Sequence, residues 1–146
     1  MKKSFVGIFA TLALAGTLAA ASTDWLTDLT KAQAQAKAEK KLVLLDFTGS
    51  DFCPGCQALT KNVFSKPGFA AYAKTNLVLV EVDFPASKPQ SEKLRKANEA
   101  LHDKFKIEGF PTIIVLDTEG KELNRKAGYS GDTANEFIAG LEKLKK

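Results

Sequence analysis

Two cysteines, Cys53 and Cys56, stand three residues apart in the stretch DFTGSDFCPGCQAL, residues 46–59, and the chain has no others. Two thiols at this spacing serve a structural disulfide, half of a metal site, or a pair that cycles between dithiol and disulfide. A disulfide closing so short a loop stabilises by only ~2 kcal/mol on the loop-entropy model. That is a small return in a chain of 146 residues, long enough to bury its own core. Zinc takes about four ligands, and two thiols with the lone His102 fall short, so no metal is expected. A redox pair asks for one thiol whose anion is stabilised and a second within reach of it.

The surrounding residues meet that demand. Cys56, Leu59 and Val63 form an i, i+3, i+7 apolar stripe, so the pair opens a helix. Cys53 then lies among unpaired N–H groups at the positive end of the helix dipole, which stabilises a thiolate. Cys56 lies on the same face, more buried and within disulfide reach. The expected roles are Cys53, exposed at the helix end, as nucleophile and Cys56 as resolving thiol. Pro54 suits a first helical turn, and Gly55 lets another chain approach the sulfurs. In GFPT, residues 109–112, Pro111 directly precedes an apolar run. A cis Phe110–Pro111 bond would set that backbone against the pair and offer it to an extended substrate. Asp46, inside an apolar strand, is either a strand-end carboxylate satisfied by backbone N–H groups or a buried proton acceptor for Cys56 with a raised pKa.

The elements that position these residues follow from patterning. Trp25, Leu29, Ala32 and Ala36 recur at helical spacing and predict a first helix from Asp24 to about Lys40. LVLLDF (42–47), LVLVEVDF (77–84) and TIIVLD (112–117) are continuous apolar runs, the mark of strands covered on both faces. Leu94, Ala97, Leu101 and Phe105 line one side of a helix before the third run, and His102 is expected on its surface. Residues 84–92, FPASKPQSE, form a polar loop. Thr118, Glu119 and Gly120 turn the chain into KELNRKAG, an antiparallel partner of the third strand. Asp132 is expected to cap a last helix whose Phe137, Leu141 and Leu144 face inward. The sum is an α/β domain with a central mixed β-sheet flanked by helices on both faces, parallel inside and antiparallel at one edge.

The first residues read as a secretory signal peptide over 1–21: Lys2 and Lys3, an apolar run from Phe5 to about Leu18, then Ala19–Ala21 before a cut at Ser22. An uncleaved anchor is the competing reading of that run, which approaches the ~17 residues of a short spanning helix. Cleavage leaves a soluble exported domain, 22–146, in the periplasm or an equivalent oxidising compartment. It removes two cations and no acid, so the formal charge of +4 becomes +2. Such a near-balanced surface predicts no nucleic-acid and no membrane binding.

At this point the chain resembles the thioredoxin superfamily. The likeness is carried by DWLTDLTKAQAQAKAEKKLVLLDFTGSDFCPGCQAL and GFPTIIVLDTEGKEL and covers nearly all of residues 22–146. It is greatest to exported bacterial domains with an LLDFTGSDWCxxC signature, similar to the C-terminal domain of the transmembrane thiol-disulfide interchange protein. The resemblance implies a thioredoxin fold, Cys53 as nucleophile, Cys56 as resolving thiol, Pro111 as the cis-proline, and Phe52, Pro54, Gly55, Phe110 and Pro111 around the substrate. It departs in Phe52, where tryptophan is usual, and in Pro54-Gly55, the reverse of the usual order. Asp46 lies one residue further from the cysteine, and no lysine stands near Leu79 to pair with it. Gly55 occupies the place where strongly oxidising relatives carry histidine, which argues for a milder, more reducing couple. The expectation is therefore a cofactor-free monomeric protein-disulfide oxidoreductase, favoured as a reductase. It would act on disulfide-containing exported proteins and draw electrons from an inner-membrane thiol donor. A binding module without turnover, or a thiol metallochaperone for an ion such as Cu(I), is the alternative from another class; the only methionine is Met1, so thioether ligands would be missing.

Overall fold

A computed structural model describes residues 24–145. The signal-peptide reading falls on residues outside these. Along the chain run β1 (Trp25–Leu26), α1 (Leu29–Glu39), β2 (Leu42–Thr48), α2 (Pro54–Leu59), a π-helical turn (Thr60–Phe64), α3 (Pro67–Asn76), β3 (Leu77–Asp83), α4 (Glu92–Phe105), β4 (Thr112–Leu116), β5 (Glu122–Ala127) and α5 (Ala134–Glu142).

The five strands form one sheet in the order β1-β3-β2-β4-β5. β1, β3 and β2 are parallel, while β4 runs against β2 and β5 against β4. The antiparallel part is therefore larger than the single edge expected, because an apolar run shows that both faces are covered but not which way the strand points. The direction matters for the site. Phe47 at the end of β2 pairs with Thr112 at the start of β4, so the residues before Thr112 lie at the end of the sheet where β2 delivers the cysteine loop.

Alternation along the strands divides the core in two. Val43, Leu45 and Phe47 of β2 pack with Val78, Val80 and Val82 of β3 beneath α1 and α4. Leu44, Leu77 and Leu79 face the opposite way, against Leu59, Val63, Phe69 and Phe137 from α2, the π-turn, α3 and α5. Ala32 and Ala36 are fully buried, and their small side chains let α1 lie close on the sheet. Asp28 begins that helix, its side chain accepting from Lys31 N at 3.1 Å.

Two local expectations are corrected and one helix is added. Trp25 is not helical: it pairs with Leu79 in β1, and its ring packs on Phe64 at 5.0 Å between centroids. The segment after the π-turn, for which the patterning gave no expectation, is a further helix, α3, with Pro67 in its first turn, where its missing N–H costs nothing. Thr133, not Asp132, caps α5 through a reciprocal pair of bonds with Glu136. Asp132 is engaged with Lys126 instead.

Candidate active site

β2 ends at Thr48, and the loop that follows turns on Gly49, whose carbonyl accepts from Phe52 N at 3.2 Å and Cys53 N at 2.9 Å. A Cβ on Gly49 would meet the Phe52 ring at 2.5 Å, so only glycine lets that ring lie over the loop. Phe52 remains 51% exposed beside the cysteines. Cys53 caps α2, its Sγ accepting from Cys56 N at 3.2 Å. The two cysteines are bonded to each other, with Cα atoms 5.3 Å apart.

Cys56 is the more buried of the two, at 2% exposure, as the stripe with Leu59 and Val63 requires. Cys53 is only 8% exposed, less open than a helix end suggests, because its sulfur is turned onto Cys56. Pro54 is exposed at the first position of α2. A Cβ on Gly55 would stand 3.3 Å from Pro111 Cδ, so the close approach that Gly55 permits is made by the chain's own proline. The Phe110–Pro111 bond is cis. Pro111 O accepts from Gly128 N at 2.7 Å and Gly109 O from Thr112 Oγ1 at 2.7 Å. Two carbonyls of this loop are thus committed inside the fold, which narrows the backbone a substrate strand can use.

Asp46 lies on the sheet face that α2 and the π-turn cover, between Ile113 of β4 and Glu81 of β3. It is 5% exposed, and its Oδ1 has no hydrogen-bond partner among the described residues. The reading of a strand-end carboxylate satisfied by backbone N–H groups does not fit that oxygen, and β2 runs on to Thr48. Burial first, then the nearby carboxylates of Glu81 and Asp83, pushes its carboxyl up to about 8. Glu81 stands where a compensating cation would be expected, and burial together with Asp83 raises its carboxyl as well.

The polar loop after β3 is tied to the cysteine loop by acids that sequence patterning passed over. Asp51 accepts from Ala86 N, Ser87 N, Ser87 Oγ and Lys88 N at 2.8–3.0 Å. Those bonds hold its carboxyl well below the usual carboxylate range. Asp83 accepts from Ser50 N and Ser50 Oγ, and Lys88 Nζ donates to Ser50 Oγ. A carboxylate of depressed pKa stabilises its structure above the unfolded value and loses that contribution as pH falls. Asp51→Ala should accordingly speed hydrogen exchange at Ala86, Ser87 and Lys88, while the wild type shows the same loosening only in strong acid.

His102 is not a simple surface residue. Its ring lies 5.6 Å from Phe84 and 6.5 Å from Phe110, and Phe84 and Phe110 stack at 5.2 Å. These rings form an aromatic shelf next to the cis-proline. The signal available beforehand was Phe84 itself, an aromatic at the end of an apolar run where the polar loop begins.

A family model, the thioredoxin-like domain, matches residues 29–145. The chain belongs to the thioredoxin-like family. Disulfide bond reductase DsbH of Chlamydia pneumoniae is 36% identical over 117 residues, covering 80% of this chain and 70% of that protein. Thiol:disulfide interchange protein DsbD of Vibrio vulnificus is 31% identical over 163 residues, which takes in 98% of this chain but only 26% of DsbD. Among solved structures, a DsbH oxidoreductase superposes with a TM-score of 0.79 at 29% identity, covering 97% of this chain and 94% of that one. The C-terminal domain of Neisseria meningitidis DsbD in its reduced form, at 24% identity and a TM-score of 0.59, shares the fold. With these relatives and its own bonded cysteine pair, this thioredoxin-like protein is a thiol-disulfide oxidoreductase.

Proposed function

We propose that this thioredoxin-like protein is an exported disulfide reductase with Cys53 as nucleophile and Cys56 as resolving thiol. The observation that carries the reading is the bonded pair itself, opening α2 with Pro111 packed over Gly55. In the reduced protein the Cys53 thiolate attacks a substrate disulfide, forming one S–S bond and releasing one substrate thiolate. Cys56 passes its proton to Asp46 and attacks Cys53 Sγ, which breaks the mixed disulfide and releases the second substrate thiolate. The pair is left oxidised and must be recharged by a thiol donor, for which an inner-membrane protein fits the likeness to DsbD. Phe52, Phe110 and Pro54 offer an apolar rim for an unfolded or extended disulfide segment.

The reductase direction is supported by Gly55. It adds no charge and no side-chain donor near Cys53, so the thiolate has only the α2 start to stabilise it, and a weakly stabilised thiolate makes a more reducing couple. Export is supported by the layout of residues 1–21, with Lys2 and Lys3 ahead of an apolar run and Ala19–Ala21 at its end. Among the described residues no helix is long and apolar enough to cross a membrane. Equilibrating the Cys53–Cys56 couple with glutathione tests the direction. A potential well below about −200 mV is expected, and one near −120 mV would make the protein an oxidant.

A further inference from the structure

We propose that Glu81 is a positioning residue for the proton of this couple: with Asp46 it forms a carboxyl pair that holds one proton on the α2 side of the sheet and exchanges it with water through a cavity beside β3. The inference rests on the redox reading above.

Asp46 and Glu81 are directly paired residues of parallel strands, so their side chains leave the same face about 5 Å apart. Asp46 is nearly sealed, while Glu81 is half-buried and lines a cavity of about 260 Å³ with Asp83, Lys88, Leu94 and Asn98. Asn98 is 1% exposed, and its Oδ1 has no partner among the described residues, so a buried acceptor borders this space. Neither cysteine, nor Phe52, nor Pro111 lines the cavity. The cavity therefore opens apart from the residues proposed to meet a substrate.

Among the described residues Lys88 is the cation that acts on Glu81, and burial and Asp83 outweigh it. Lys88 also donates its Nζ to Ser50 Oγ. Lys126 of β5, across from Ile113, is engaged with Asp132. From α2 and the π-turn, Cys56 is the titratable group among the buried side chains. Two carboxylates this close cannot both ionise cheaply, so one proton is retained between them. When Cys56 attacks the mixed disulfide, its S–H proton goes to an Asp46 oxygen, and the electron pair of the broken Cys53–substrate bond leaves on the substrate sulfur. Glu81, which carries the retained proton at that moment, then gives it up to water, and the proton on Asp46 passes to the emptied Glu81 carboxylate, which restores the pair with its single proton.

The test uses the full domain with dithiothreitol as reductant, following the rate of Cys53–Cys56 reduction from pH 5 to 10. Glu81→Gln removes a negative neighbour of Asp46 and should move the midpoint of the pH–rate profile down by about one unit. Glu81→Lys should move it further. Midpoints equal to that of the wild type in both variants would overturn the proposal. A wild-type disulfide that dithiothreitol does not reduce would instead overturn the redox reading on which it rests. In the unaltered protein, ¹³C carboxyl titration should show Asp46 and Glu81 sharing two titration steps. Two independent single-step curves would likewise overturn the proposal, without relying on any variant to fold.

Discussion

Cys56→Ala should turn a transient mixed disulfide into a stable covalent adduct between Cys53 and the protein's partners. In the wild type the resolving thiol is held with its Cα 5.3 Å from that of Cys53, so its attack is intramolecular and fast. Removing it leaves only external thiols to resolve the intermediate. The adduct should then persist at least on the order of 10³-fold longer, given the effective molarities that such positioning supplies. Fractionated under acid quench, the variant should show high-mass species in the exported fraction that dithiothreitol dissolves. Cys53→Ala should show none, since the remaining thiol is 2% exposed and turned inward. Absence of adducts with Cys56→Ala, together with unaltered fold, would rule out Cys53 as the nucleophile. The variant should lose little stability, because a disulfide across so short a loop is worth only ~2 kcal/mol.

The site was legible to the extent that it is local. Cys53, Pro54, Gly55 and Cys56 belong to one turn, and helical periodicity through Leu59 and Val63 was enough to orient them. The three apolar runs marked β2, β3 and β4 because each is buried on both faces, a property that leaves a compositional trace. What stayed hidden depends on contacts across the chain. Trp25 looked helical until β1 paired it with Leu79. Asp51 is one more polar residue in a loop until Ala86, Ser87 and Lys88 fold onto its carboxylate, 35 to 37 positions away. His102 became part of the shelf only when β3 and the cis-proline loop brought Phe84 and Phe110 to it. Glu81 is the sharpest instance. Alternation places it on a face, but only the register between β2 and β3 sets it beside Asp46.

Asp46→Asn should make the protein more stable in mild alkali and slower in exchange. The folded-state carboxyl, raised to about 8 by burial and by Glu81 and Asp83, keeps a proton that the unfolded chain gives up near pH 4. Between those values the folded state binds more protons than the unfolded one, so wild-type stability must fall as pH rises. The loss is complete above the folded value and amounts to as much as about 5 kcal/mol. An asparagine does not titrate and keeps a similar shape, so the variant's unfolding free energy should be nearly flat over that range, apart from the smaller contribution of Glu81. Urea unfolding at pH 5 and pH 9 measures the difference: the two proteins should lie close at pH 5 and separate by several kcal/mol at pH 9. Parallel slopes for the two proteins would mean that Asp46 ionises in the fold at an ordinary pH and cannot serve Cys56. The exchange rate supplies the opposite half of the argument. An amide cannot take the Cys56 proton, so resolution should slow on the order of 10²-fold near neutrality. Together those two results would mark Asp46 as kept for the chemistry, with the cost falling on its Oδ1, which has no partner among the described residues.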